Sequence, residues 1–172
     1  ASRYAHRLLL ILMPEAGVCA DQVRRAVDSV GLRSRPCHSD AAPDPLAQVL
    51  ICDDPDTLGV WYRIAPICFL GQSLVSGRGG IDPAPAATLG SAILYGPNVS
   101  RYMDTYDRYA AAGAARLVRD PNGLAQAVTT VLAPDEAAAM AQAAWDLVTA
   151  GADLTDWLVD TVIDTLDTAE EM

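Results

Sequence analysis

Ile67-Cys68-Phe69-Leu70, Gly71-Gln72-Ser73-Leu74-Val75-Ser76-Gly77-Arg78-Gly79-Gly80, Ile81-Asp82-Pro83 and, further on, Ala92-Ile93-Leu94-Tyr95-Gly96-Pro97 form the stretch whose reading decides the fold. Two short apolar runs, each stopped by glycine, enclose a helical segment over 83–89. Asp82 stands in a good N-cap position there, with Pro83 favoured at the first helical residue. A strand, a helix and a second strand of this size make a parallel pair, because parallel strands need a crossover connection.

Outward from this unit the alternation repeats. Upstream, Leu8-Leu9-Leu10-Ile11-Leu12-Met13 is continuously apolar and stopped by Pro14, which predicts a strand buried on both faces and central in the sheet. Val23, Ala26, Val27 and Val30 recur at helical spacing, with Asp21 in the first turn and Gly31 as the stop, so 20–30 reads as a surface helix. A short strand over 32–37, a loop, a strand over 48–52 ending in Asp53 and Asp54, and a helix over 58–65 follow. Downstream come a helix over 99–112, a sixth strand over 115–118, and helices over 123–132, 134–149 and 154–166. The pattern predicts an α/β protein with a doubly wound, Rossmann-like parallel sheet of about six strands. One domain over 1–172 is expected, with 134–172 as peripheral helices. Ligands in such sheets bind beyond the carboxyl ends of the strands, which directs attention to the segments after Met13, Cys52, Leu70 and Tyr95.

Bulk composition narrows the partners. The net charge is −10, so the field at long range repels phosphate backbones and anionic lipid surfaces, and nucleic acid is not an expected partner. An anionic small ligand then needs local donors, such as backbone N–H groups or an arginine. Cys19, Cys37, Cys52 and Cys68 are widely spaced and form no CxxC pair, so neither a zinc site nor a redox motif is signalled. Cys52 and Cys68 sit in apolar runs and read as buried, reduced thiols, which suits a cytoplasmic setting. The longest apolar run falls well short of the ~20 residues of a membrane helix. The chain starts without Met directly ahead of a strand, as a domain taken from a longer protein would.

The loop after Leu70 is the strongest chemical feature. Four glycines, two serines and Arg78 lie between a strand and a helix, where exposed N–H groups can cradle a phosphate and Arg78 can neutralise it. Gly and Ser serve a mobile connector equally well, and both readings stand at this level. The segment is neither a Walker A motif nor GxGxxG. Ser73 can donate to a ligand or act as an ordinary turn serine. Gly79 and Gly80 allow close approach of a ligand or satisfy a positive φ, and Asp82 caps the helix or contacts a ligand. Asp53 can face a sugar or nucleotide at its strand end, or begin a turn with Asp54 and Pro55. Trp145 and Trp157, at apolar spacing on the last helices, read as core or interdomain contacts.

Cys68-Phe69-Leu70-Gly71-Gln72-Ser73-Leu74-Val75, Gly79-Gly80, Ala86-Ala87 and Gly90-Ser91-Ala92-Ile93-Leu94-Tyr95-Gly96-Pro97 resemble the carboxyl-terminal domain of 3-deoxy-D-manno-octulosonic acid (Kdo) transferases. In that family the stretch reads approximately FxGGSLVxxGGHNxxEPAxxGxPVLxGP. Trp61-Tyr62-Arg63-Ile64-Ala65 and Ala111-Ala112-Gly113-Ala114-Ala115 extend the resemblance over most of the chain. It implies the carboxyl-terminal half of a two-domain GT-B glycosyltransferase at the cytoplasmic face of the inner membrane. Such an enzyme moves Kdo from CMP-Kdo to a lipid A precursor, without a bound metal or other cofactor at the donor. The donor or a related nucleotide sugar would meet Gly71, Gln72, Ser73, Arg78, Gly79, Gly80, Asp82 and Asp53. Acceptor, catalytic carboxylate and membrane contact would belong to an amino-terminal domain and the full-length protein.

The departures from the family pattern fall on ligand positions. Gln72 replaces the second glycine of GGS, Ile81-Asp82 replaces HN, and Pro85-Ala86 replaces the Glu-Pro that supplies a ribose acceptor. Pro14-Glu15-Ala16 stands where the family has Pro-Arg-His, an anion in place of a phosphate-binding cation. Two expectations follow: a donor domain with an altered site, whose isolated fragment lacks turnover, or a non-catalytic binding or assembly domain that keeps the Rossmann-like fold.

Overall fold

A computed structural model describes residues 8–15, 17–37, 44–150, 159 and 161–163. The chain divides into two compact units, 1–61 and 62–172. In the first, β1 (Leu10–Leu12), β2 (Ser34–Pro36) and β3 (Val49–Ile51) form a parallel sheet in the order β1-β3-β2. Leu10 pairs with Val49 on one side of β3, and Ser34 with Val49 on the other. Helix α1 (Ala20–Ser29) lays Val23 and Val27 on Val49, Ile51 and Leu12. The first strand is therefore not central. β3 is the inner strand, with Val49 and Ile51 buried, whereas Leu10 is 51% exposed. A continuous apolar run does not by itself reveal which strand lies inside; that depends on what covers each face.

Asp54 opens a short 3-10 turn (Pro55–Thr57), its carboxylate accepting the Asp56 N–H at 3.0 Å, and α2 (Leu58–Ile64) carries the chain across the boundary between the units. The second unit holds β4 (Ile67–Leu70), α3 (Ala84–Thr88), β5 (Ala92–Tyr95), α4 (Met103–Ala111), β6 (Ala115–Leu117), α5 (Pro121–Val131) and α6 (Pro134–Thr149). Its three strands are parallel in the sequential order β4-β5-β6, with Ile67 opposite Ala92 and Ile93 opposite Ala115. All six expected strands are present, divided between two three-stranded sheets.

All four residues of β5 are buried, and their alternation sorts them between two faces. Ala92 and Leu94 pack with Val118, Ala127 and Val131 and with Ala137 and Met140 of α6. On the opposite face Tyr95 meets Tyr106 of α4, ring centroids 4.4 Å apart. A strand covered on both sides is what the unbroken apolar run Ala92–Tyr95 required.

The helix boundaries differ where side chains or tertiary contacts take over the terminal N–H groups. Helix α4 begins at Met103 rather than 99, because 99–102 form a turn in which Tyr102 N–H bonds to Val99 and Arg101 N–H leaves for Gly79. Helix α5 begins at Pro121, two residues early, since Asp120 accepts the Gly123 N–H at 2.8 Å and Pro121 sits where a lost N–H costs nothing. Trp145 is not a core residue: it is 45% exposed on α6, whose buried line is Ala137, Met140 and Ala144. Trp157 and most of the expected 154–166 helix lie outside the described residues, of which 159 and 161–163 are helical.

Candidate functional site

The glycine-rich loop leaves the carboxyl end of β4 and is fixed along its length to the segment that follows β5. Ser73 is fully buried; its hydroxyl donates to the Leu70 carbonyl at 2.5 Å and accepts the Gly96 N–H at 2.8 Å. The Ser73 carbonyl accepts two bonds from Asn98, one from its N–H at 2.8 Å and one from Nδ2 at 3.1 Å. Farther along, the Arg101 N–H donates to the Gly79 carbonyl at 3.1 Å, and the Tyr106 hydroxyl donates to the Ile81 carbonyl at 2.7 Å. A mobile connector would not carry this set of bonds. Between the attachment points Val75, Ser76, Gly77 and Arg78 are exposed, Val75 by 65%.

The glycines have distinct tasks. A Cβ at Gly96 would strike the Ser73 carbonyl and stand 2.7 Å from the Leu74 nitrogen, so the absence of a side chain is what lets the two loops touch. Gly79 and Gly80 both have φ of +81° and lie against the 99–101 turn; a Cβ at Gly79 would sit 2.7 Å from Arg101 Cγ, and one at Gly80 3.1 Å from Val99 Cα. The space next to these two glycines is filled by protein. Gly71 has open space beside it.

Gln72 is the only non-glycine residue with positive φ among those described, at 61°. The resemblance placed a glycine here, and the backbone shows why: a side chain in the left-handed region costs roughly 1–2 kcal/mol. Glycine carries its own entropic penalty in the unfolded chain, of roughly 0.4–1 kcal/mol. Gln72→Gly is accordingly expected to stabilise the protein by up to about 1 kcal/mol. The urea midpoint measures it, and a loss of stability would show that the glutamine side chain holds the loop.

Asp82 accepts the Ala84 N–H at 2.9 Å and so caps the start of α3. Pro85 is exposed within the same short helix. Behind the loop, Ser91 is fully buried and donates to the carbonyls of Tyr62 and Ala65 at 2.7 and 2.9 Å, tying the end of α2 to the start of β5. Burial pushes the Tyr62 hydroxyl and the Cys68 thiol up to about 12, and it raises Tyr95, Tyr106 and Tyr109 in the same direction. These groups stay protonated at neutral pH, and the Tyr106 proton is the one given to the Ile81 carbonyl.

The structure thus gathers Ser73, Gly79, Gly80 and Asp82 into one frame, with half-buried Gly71 and Gln72 at its start and Arg78 on its exposed crest. Asp53 belongs to the first unit, exposed just after β3, and Glu15 is exposed just after β1. Ala16 lies outside the described residues. Sequence reasoning took Gly96 only as a strand stop and a family match, and passed over Asn98 and Arg101. Their signal was available, since they follow the carboxyl end of β5 as the glycine-rich loop follows that of β4. Among the described residues no group of three or more His, Cys, Asp or Glu side chains is placed to hold a metal ion, and no helix is long and apolar enough to cross a membrane.

No family model matches the chain. Parallel strands joined through helices, with a shaped loop at a strand's carboxyl end, define a Rossmann-like α/β protein. Among solved structures it is similar to the C-terminal CMP-Kdo binding domain of WaaA from Acinetobacter baumannii, with a TM-score of 0.76 and 20% sequence identity over 83% of this chain and 74% of that one. The fold expected from the strand and helix pattern is the fold the two share.

Proposed function

We propose that this chain is the donor-binding part of a Kdo-transferase-like glycosyltransferase, and that its ligand is CMP-Kdo or a related nucleotide sugar. The observation that carries this reading is the fixed glycine-rich loop at the carboxyl end of β4, in a fold shared with a domain described as binding CMP-Kdo. The loop's exposed crest from Val75 to Arg78, with half-buried Gly71 and Gln72 ahead of it, offers backbone N–H groups and a guanidinium to an anionic group. Arg101, exposed and held beside Gly79, adds a second cation. Ser73, Gly79, Gly80 and Asp82 act by shaping that crest. Asp53, in the first unit, is a separate candidate for accepting a sugar hydroxyl. In this reading the chain works within a longer polypeptide at the cytoplasmic face of the inner membrane. An amino-terminal GT-B domain supplies the lipid A precursor and the catalytic base, and the isolated chain has no turnover.

Calorimetric titration with CMP and CMP-Kdo tests the proposal. Weak, saturable binding is expected, weakened about tenfold by Arg78→Ala and again by Arg101→Ala, the effect of losing one charge-assisted hydrogen bond in each case. Equal affinity for an unrelated nucleotide sugar, or binding indifferent to both substitutions, would overturn the assignment. Exposed Pro85 and Glu15, at positions where the resembling family carries a carboxylate and a cation, favour a second reading: a non-catalytic binding or assembly domain. Absence of any CMP-nucleotide binding by the folded chain would favour that reading.

A further inference from the structure

The spacing of the four cysteines along the chain shows no pair, yet the first sheet creates one. Strands β2 and β3 run parallel with Pro36 opposite Ile51, and the Cys37 N–H continues the ladder by donating to the Ile51 carbonyl at 2.8 Å. Cys37 and Cys52 are the next residues on the two strands. Lateral neighbours share a face, and strands lie about 4.8 Å apart, inside the range of about 4.4–6.8 Å that a disulfide spans between Cα atoms. The Cys37 thiol is close enough to Cys52 to help raise its pKa. Cys52 is completely buried, whereas Cys37 is half-buried and therefore the one a small molecule reaches first.

We propose that Cys37 and Cys52 are a cross-strand dithiol that a low-molecular-weight disulfide such as oxidised glutathione converts to a disulfide, fastening β2 to β3 at the carboxyl end of the first sheet. The Cys37 thiolate attacks one glutathione sulfur, the glutathione S–S bond breaks, and one glutathione leaves as thiolate. Cys52 gives its proton to solvent and attacks the Cys37 sulfur, forming the protein disulfide and expelling the second glutathione. Two protein thiols are oxidised and one glutathione disulfide is reduced to two thiols. Burial, the adjoining Cys37 thiol and the neighbouring Asp53 carboxylate hold Cys52 protonated, its pKa pushed up to about 12. The mixed disulfide removes the Cys37 contribution at the moment Cys52 must react. Attack needs a thiolate at each step, so the conversion quickens as pH rises.

The test uses the whole chain incubated with oxidised glutathione, followed by thiol titration in denaturant and mass mapping. Asp40 and Asp44 lie between the two cysteines, so cleavage before aspartate separates their peptides unless a disulfide joins them. The expected result is that the Cys37 and Cys52 peptides are linked until reduced and carry no glutathione, with exposed Cys19 as the place where glutathione stays bound. Cys52→Ala is expected to trap glutathione on Cys37. Cys37→Ser, at the more exposed position, is expected to leave Cys52 unmodified in folded protein. Retention of all four thiols, stable glutathione on wild-type Cys37, or linkage of Cys37 to a different cysteine or another molecule would overturn the proposal. So would modification of Cys52 in Cys37→Ser at the wild-type rate.

Discussion

Gly96→Ala is expected to destabilise the second unit by about 3 kcal/mol or more, the upper end of what an inserted methyl group does in a tightly packed site. The added carbon would overlap the Ser73 carbonyl and approach the Leu74 nitrogen at 2.7 Å. Both are backbone atoms, and neither can rotate away as a flexible side chain would. Relief would require the loop after β4 to move off the end of β5, which breaks the bonds from Gly96 to Ser73 and from Asn98 to the Ser73 carbonyl. Urea unfolding followed by circular dichroism measures the loss. Gly71→Ala is the matched control, because its Cβ meets nothing within 4 Å and its φ is not positive. The control should stay within about 0.5 kcal/mol of wild type. Equal effects at the two positions would mean that contact between the loops does not hold this region together.

Ser73→Ala removes a single oxygen from the same junction. The hydroxyl is buried, and its loss leaves the Gly96 N–H without its acceptor in a place water does not reach. An orphaned buried donor of this kind costs about 1–3 kcal/mol. Ser73→Thr keeps the oxygen and should recover much of the stability if the extra methyl finds room. Hydrogen exchange at Gly96 separates the effect from general loosening. In Ser73→Ala that amide should exchange faster by a larger factor than amides in α5 and α6. A uniform change across the unit would deny Ser73 its specific role.

Much of the architecture was legible because it follows from local pattern. The runs at Ile67–Leu70 and Ala92–Tyr95 could be placed to the residue, since each is apolar throughout and stopped by Gly. Helix α6 likewise opens at Pro134 and ends where it was expected, at Thr149. What could not be read depended on contacts between distant segments. The outer position of β1 follows from which neighbour each strand finds, and no periodicity records that. Arg101 joins the site through a bond to Gly79, twenty-two residues away in sequence, and the Cys37 and Cys52 pair arises from strand register alone. Ser73 was read as a ligand donor or a turn serine, and its hydroxyl is engaged by the protein's own backbone.

Bonds from Ser73, Gly79 and Ile81 to the 96–106 segment give the glycine-rich loop its form, while Val75 to Arg78 are exposed between them. Under the proposed function, shape and recognition then fall largely to different residues. A protein arranged in this way can change what it selects without first losing its fold, since variation at the crest leaves the bonds at Ser73, Gly79 and Ile81 in place. For the experimentalist the same separation makes 75–78 a natural place to randomise when a new anionic ligand is sought. Residues 73, 79, 80 and 96 are best left alone in such a library.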